Sequence, residues 1–158
     1  MLGSNSHFFY QPVEVLSLKR RQVNQLLKLK GYSHHQIAIY IEAFNFFCKN
    51  PSQFDGATIA KDLIDIPGLD LDAMLHDYHY LVYNVAASFS MKWKTDWIYA
   101  KGQERKGKGL YSAYSRFVVL SIIGIGFVPY IYSKKGRISK SKKEAFLKEY
   151  EILINPMP

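Results

Sequence analysis

Apolar side chains recur at the spacing of an α-helix through residues 33–48 of the sequence. They lie three and four residues apart, on one helical face: Ile37, Tyr40, Ile41, Phe44 and Phe47. Ser33 and Gln36 stand before this stripe in the S-x-x-Q pattern of a capping box. Few segments elsewhere alternate between apolar and polar residues with period two. The chain is therefore predicted to be mainly α.

A second helix is predicted directly before this one. Ser17 can cap a helix whose apolar stripe is formed by Val23, Leu26 and Leu27. Gly31 follows at a position where a helix typically stops. The two helices together predict a helical hairpin. Residues 1–15 are expected to form an extended arm, so that arm and hairpin make up a first part, residues 1–56.

Three helices are predicted in the second part, residues 57–132. They cover about Asp70 to Ala86, Met91 to Arg105 and Tyr111 to Ile123, and a short turn of helix is expected near Ala57 to Leu63. Residues 117–132 carry no charge, but two glycines and a proline interrupt them. This pattern favours a buried core helix with a strand-like exit over a membrane span, and leaves membrane contact open. A basic linker and a short C-terminal helix are predicted for residues 133–158.

The charge of the chain limits the classes of partner. The 158 residues include 21 Lys+Arg and 13 Asp+Glu, a formal net charge of +8. Such a surface favours anionic partners, namely nucleic acid, acidic protein faces or phospholipid head groups. Cys48 is the only cysteine, so a secreted enzyme held by intrachain disulfides is excluded. We expect no secretion by a signal peptide, because the first residues have neither a basic start nor an apolar run.

The sequence HDYHY concentrates titratable groups on the first helix of the second part. His76 and Tyr80 are four residues apart and share one face of that helix. Asp96 lies on the next predicted helix, and antiparallel packing across a short turn would bring it within reach of His76. A hydrogen bond between them would fix the histidine tautomer and strengthen the ring as a base. Asp77 can offer oxygen to a hard cation.

This His-Asp-x-x-Tyr helix resembles the HDxxY helix of the phospholipase A2 family, in particular its parvovirus-capsid and prokaryotic forms. The resemblance covers about residues 66–105, and it implies a phospholipase A2-like antiparallel helix pair plus a third helix. It also implies that His76 activates the attacking water, that Asp96 orients His76, and that Tyr80 hydrogen-bonds within this dyad. Calcium would stabilise the oxyanion of the ester intermediate.

The resemblance also implies how calcium would be held. The family uses backbone carbonyls of a glycine-rich loop before the histidine, whereas here Pro67-Gly68 is the nearby turn, with no G-x-G. Asp77 and the backbone at Gly68 are the candidate calcium ligands, and calcium is expected only if the chain is catalytic. No other cofactor is expected. The alternative is a buried polar network that uses the same groups to tie two helices together, with His79 as a packing or surface residue.

Residues 57–130 also resemble a family of uncharacterised phage proteins. The shared features are an Ile-Pro turn, an HDY-x-Y helix, a helix that contains the aspartate of TDWIYAK, and Gly, Ala and Tyr positions before an apolar segment. This resemblance implies a phage setting and implies no reaction.

The predicted function is a phage virion subunit, of the head–tail connector or tail ring type, whose His/Asp cluster is structural. Its expected partners are other virion proteins, with possible contact to DNA or phospholipid. Its expected location is the virion, after synthesis in the host cytoplasm. One alternative is a calcium-dependent phospholipase A2-like hydrolase that aids membrane passage during genome delivery. The other is a nonspecific nucleic-acid-binding protein, because the lysines between residues 134 and 143 can contact phosphates without base specificity.

Overall fold

A computed structural model describes residues 5–54, 65–107, 109–115, 117–122 and 137–155. Within these residues the chain is mainly α, as predicted, and contains no strand beyond an isolated bridge between Ile66 and Leu69. The helices are α1 (Val13–Leu29), α2 (His34–Lys49), α3 (Leu71–Val82), α4 (Phe89–Arg105), α5 (residues 110–122, except residue 116) and α6 (Lys140–Ile154). Short 3₁₀-helices cover Asn5–Tyr10, Pro51–Gln53 and Val85–Ala87.

The chain divides into two compact units. The first unit is Met1–Asp77 with Ile152–Pro158, and the second unit is Tyr78–Glu151. The boundaries fall inside α3 and inside α6. The three-part division predicted along the sequence stays a prediction.

The predicted helical hairpin is present in the first unit as α1 and α2, which pack against each other. At the end of α1, the amide of Tyr32 donates to the Leu27 carbonyl (3.0 Å), and Gly31 takes a positive φ of 78°. This left-handed glycine is the expected stop of the helix. Ser17 does not cap α1, because the helix begins four residues earlier, directly after Pro12. Pro12 is the N-cap residue, and its carbonyl accepts the first hydrogen bond of the helix, from the amide of Leu16 (3.0 Å).

The capping box at the start of α2 is confirmed. The Gln36 amide donates to the Ser33 hydroxyl (3.2 Å), and the Ser33 amide donates to Oε1 of Gln36 (2.9 Å). Beyond this box, the apolar face of α2 is buried in the core of the first unit: Ile37, Tyr40, Ala43, Phe44 and Phe47. The 3.6-residue periodicity of the sequence therefore located the core-facing side of this helix.

The described part of the predicted extended arm is not extended. Asn5–Tyr10 forms a 3₁₀-helix, and its Phe8 and Phe9 are buried. The Phe9 ring lies 5.0 to 5.5 Å from three other rings, those of Phe44, Phe47 and Phe54. Burying a phenylalanine side chain contributes about 1.5–3 kcal/mol. This gain is the physical reason that the segment folds onto the core.

Helix α4 begins and ends close to its predicted bounds, and α3 and α5 begin close to theirs. Helix α3 ends at Val82 and not near Ala86, because Asn84 adopts a left-handed conformation (φ 53°) and a 3₁₀-helix follows it. Ser88 then caps α4, since its hydroxyl accepts from the amide of Met91 (3.4 Å). The short helical turn expected near residues 57–63 lies outside the described residues.

The uncharged segment 117–132 is described only as far as residue 122. Phe117 and Ser121 are buried, whereas Val118, Val119 and Ile122 are exposed. The expectation of a buried core helix is therefore wrong for these three side chains. The expected strand-like exit lies outside the described residues. Among the described helices, none has the length and apolar character that crossing a bilayer requires.

Candidate functional site

Three carboxylates gather where α3 begins, in the first unit. Oδ1 of Asp70 accepts from the amides of Asp72 (2.9 Å) and Ala73 (3.2 Å). Oδ2 of Asp65 accepts from the amide of Leu71 (2.8 Å). The first amides of a helix have no partner within the helix, and its N-terminal dipole favours negative charge. Asp70 therefore caps α3, and Asp65 supplies a second cap.

The same carboxylates are a candidate metal centre by geometry. Asp65, Asp70 and Asp72 each place an oxygen within 4.8 Å of the others, the only such group of three His, Cys, Asp or Glu ligands in the described residues. The carboxylate of each of these three residues already accepts a hydrogen bond from the protein itself. The Lys30 ammonium lies 3.2 Å from Oδ1 of Asp65, and the Tyr40 hydroxyl donates to Oδ1 of Asp72 (2.9 Å). Capping and ion pairing account for this cluster.

The predicted calcium ligands are not in that group. Gly68 lies in a tight turn with φ 85°, in which the Leu69 amide donates to the Ile66 carbonyl (2.9 Å). Asp77 lies two turns into α3, where its Oδ1 is 3.7 Å from Nδ1 of the adjacent His76. Calcium binding by Asp77 and Gly68 therefore stays a prediction.

The predicted catalytic residues are distributed over both units. His76 belongs to the first unit, whereas Tyr80 and Asp96 belong to the second. The His76–Asp96 hydrogen bond stays a prediction. The structure does bring Tyr80 and Asp96 together, since the Tyr80 hydroxyl donates to Oδ1 of Asp96 (3.3 Å).

Asp96 is the centre of a buried polar network in the second unit. The Lys92 ammonium donates to Oδ2 of Asp96 and also to the carbonyl of Leu120 (2.8 Å). The Asp96 side chain is fully buried and that of Lys92 is 5% exposed. A buried ion pair is tolerated when further hydrogen bonds satisfy its polar atoms, and the Tyr80 and Leu120 contacts provide them. The network joins α3, α4 and α5.

His79 belongs to a second buried network. Its side chain is fully buried, and its Nε2 lies 3.2 Å from Oε2 of Glu149 on α6. The Tyr83 hydroxyl donates to Oε1 of the same carboxylate. The His79 ring also packs edge-on against Phe146, with centroids 5.4 Å apart. Of the two roles predicted for His79, packing is confirmed and surface exposure is wrong.

Three members of these clusters were missed in the sequence. The sequence did contain a signal for Lys92. It stands four residues before Asp96 on a predicted helix, which is the spacing of an ion pair. Asp65 had a weaker signal, as an acidic residue just before the Ile-Pro turn. Glu149 had none, since it lies 70 residues from His79.

Burial limits the reactions that His79 can take part in, and ion pairing limits those of Asp96. His79 is inaccessible to a substrate, and the charge of Asp96 is offset by an ammonium. These groups link helices. Comparison of the chain with protein-family models, with curated proteins and with solved structures finds no match in any of the three. The phospholipase A2 and phage resemblances stay predictions from motifs.

Proposed function

We propose that this protein is a non-catalytic structural subunit of a phage virion, of the head–tail connector or tail ring type. The phage setting rests on the resemblance of residues 57–130. One observation supports the non-catalytic role: both carboxylate oxygens of Asp96 are bonded within the second unit, to Tyr80 and to Lys92.

The Lys92 ammonium is the important partner. In a histidine–aspartate dyad the carboxylate stabilises the positive charge that the imidazole acquires in the reaction. An ammonium bound to the same carboxylate offsets the charge that would do so, and the effect is strong where water is excluded. Asp96 is therefore poorly suited to orient and charge a catalytic histidine.

The same contacts suit a structural role. Lys92 on α4 reaches both Asp96 and the carbonyl of Leu120 on α5, so one side chain joins two helices. Removing one member of a buried ion pair leaves an uncompensated charge, which is strongly destabilising. The sequence positions that resemble an active site thus contribute to the stability of the helical unit.

The subunit proposal is tested by assembly of the purified full chain. We expect native mass spectrometry and negative-stain electron microscopy to show closed oligomers as the protein concentration rises. A monomer at every concentration would contradict the proposal.

The non-catalytic role is tested on phospholipid vesicles with millimolar calcium. We expect no fatty-acid release by the wild-type chain above that of His76→Ala. Release that depends on calcium and disappears in His76→Ala would support the hydrolase instead.

A second candidate function is nonspecific nucleic-acid binding, because α6 begins with exposed basic side chains. Lys140, Lys142 and Lys143 are exposed, as is Arg137 before the helix. Lys142→Glu with Lys143→Glu should weaken a salt-sensitive gel shift with DNA of any sequence. The matched control is Arg21→Glu with Lys28→Glu on α1, two exposed residues with the same charge change. No shift of the wild-type chain at low salt would exclude this function.

A further inference from the structure

An exposed apolar surface extends over α4 and α5 in the second unit. We define the α4–α5 surface by six side chains that are between 37% and 89% exposed: Phe89, Trp93, Tyr111, Tyr114, Val118 and Ile122. Monomeric soluble proteins rarely expose contiguous apolar patches unless they mark a binding site.

Three of the four aromatic members, Phe89, Trp93 and Tyr114, belong to one row of rings. The Trp93 ring lies 6.0 Å from that of Phe89 and 4.6 Å, edge-on, from that of Phe117. Trp97 continues the row, with its ring 5.3 Å from Phe117 and 5.5 Å from Tyr114. These contacts hold the exposed rings in place, so the surface is ordered before any partner binds.

Helix α5 carries two apolar stripes, and the unit buries only one. Ala113, Phe117 and Ser121 recur every four residues and are buried. Tyr111, Tyr114, Val118 and Ile122 recur at three and four residues on the neighbouring face and are exposed. A single buried stripe is what a helix needs to fold onto its own domain. The second stripe is therefore available for a partner.

The charge of the same segment indicates the chemistry of that partner. By sequence, residues 89–122 contain seven Lys or Arg and two Asp or Glu, an excess of five positive charges. Both carboxylates are paired, Asp96 with the buried Lys92 and Glu104 with Lys101 (2.8 Å), so the positive excess belongs to the other basic residues. The Lys101 ammonium lies 5.1 Å from the Trp97 ring centroid and 5.7 Å from that of Tyr114, at the margin of the aromatic row. Tryptophan and tyrosine beside lysine are the combination enriched at membrane–water interfaces.

We propose that the α4–α5 surface docks onto an anionic phospholipid membrane. Trp93, Val118 and Ile122 enter the boundary between head groups and acyl chains, and Lys101 at the margin of the ring row contacts the lipid phosphates. The proposal goes beyond a structural role in a virion, and it does not depend on one.

Charge and chemistry favour this occupant over two others. A second copy of the chain bound through this same surface would place the positive excess against itself, which opposes association at this surface. A nucleic acid would match the charge and could stack on the rings, but it gains little from the exposed aliphatic side chains Val118 and Ile122. An anionic bilayer matches both the charge and the aliphatic groups.

The two tryptophans of the chain report directly on this surface. Trp93 is a member of it and Trp97 lies in the same ring row. We expect a blue shift of their fluorescence, and co-sedimentation, with vesicles of phosphatidylcholine and phosphatidylglycerol, with weaker binding in high salt and to phosphatidylcholine alone. Acyl chains brominated near the head group should quench the wild-type fluorescence, a readout that needs no variant. Absence of binding or of quenching at low salt would overturn the proposal.

A matched pair of variants assigns the binding to the surface. Val118→Asp with Ile122→Asp should weaken vesicle partitioning about tenfold or more, because it places two carboxylates in the interface. The control is Val13→Asp with Leu29→Asp, two exposed apolar residues of α1 in the first unit, and it should leave partitioning unchanged. Equal loss in both pairs would contradict the proposal. A concentration-dependent dimer that only the Val118/Ile122 pair abolishes, without vesicle binding, would assign the surface to self-association instead.

Discussion

Asp65 and Asp70, at the start of α3 in the first unit, accept from backbone amides, whereas Asp96 and Glu149 in the second unit contact side chains. Asp70 and Asp65 accept from amides that follow within six residues of each. Asp96 accepts from Tyr80 on α3 and from Lys92 on its own helix, and Glu149 on α6 contacts His79, 70 residues away in the sequence. The first group defines where α3 begins, and the second holds helices together. Loss of a carboxylate should therefore cost more in the second unit.

The largest effect is expected at Asp96. Asp96→Ala leaves the Lys92 ammonium buried without its counter-ion and should lower the free energy of unfolding by about 3–5 kcal/mol. Urea denaturation measures the change. Lys92→Met with Asp96→Leu removes both charges and should recover most of the loss, because apolar pairs of similar volume can replace buried ion pairs. A double variant less stable than Asp96→Ala would show that the ion pair is not the cause.

A smaller effect is expected at Glu149. Glu149→Ala removes the carboxylate that contacts His79 and Tyr83 and should lower the free energy of unfolding by about 1–3 kcal/mol, because buried polar groups lose a hydrogen-bond acceptor. Glu144→Ala on the same helix is the control. It removes an exposed carboxylate that pairs with Lys140 at 3.8 Å, which contributes little. Equal losses in the two variants, measured by urea denaturation, would show that the Glu149 network adds nothing.

Loss of the Asp70 cap at the start of α3 should lower the free energy of unfolding by a still smaller amount. Asp70→Ala is expected to cost about 1 kcal/mol, and Asp70→Asn much less, since the amide oxygen still accepts from the backbone. Chemical denaturation distinguishes the two. A loss at Asp70 that exceeds the loss at Asp96 would reverse the order of the two units.

The smallest effect is expected from calcium. Asp65, Asp70 and Asp72 already have protein donors, so millimolar calcium should leave the thermal midpoint unchanged within error. A ligand that binds only the folded state raises that midpoint in proportion to the logarithm of its concentration. A rise that EGTA reverses and Asp72→Asn abolishes would instead identify this cluster as a calcium site.

Local features were predictable where the partners are near in sequence. The capping box of Ser33 and Gln36, the stop at Gly31 and the cap at Asp70 each involve atoms only a few residues apart. The predicted start of α1, with Ser17 as its cap, is wrong, because the helix begins directly after Pro12. The burial of Phe8 and Phe9 was missed because their ring partners lie in α2 and beyond it.

The candidate site divides in the same way. His76, Asp77, Tyr80 and Asp96 could be selected from residue type and helical spacing, and the Tyr80–Asp96 hydrogen bond is present. Spacing alone could not show that Lys92 competes with His76 for the Asp96 carboxylate, because the strength of the Lys92–Asp96 ion pair depends on the burial of both side chains. Glu149 could not be found at all, because packing of α6 against α3 brings it to His79.

The sequence by itself determined that this chain is mainly α, where most of its helices begin and end, and which face of α2 is buried. Helical periodicity and capping involve residues three to five positions apart, so a short stretch of sequence is enough to predict them. Only the tertiary structure decided that Asp96 pairs with Lys92, that His79 is buried against Glu149, and that α5 leaves a second apolar stripe exposed. Those outcomes depend on which helices pack together and on the water that this packing excludes.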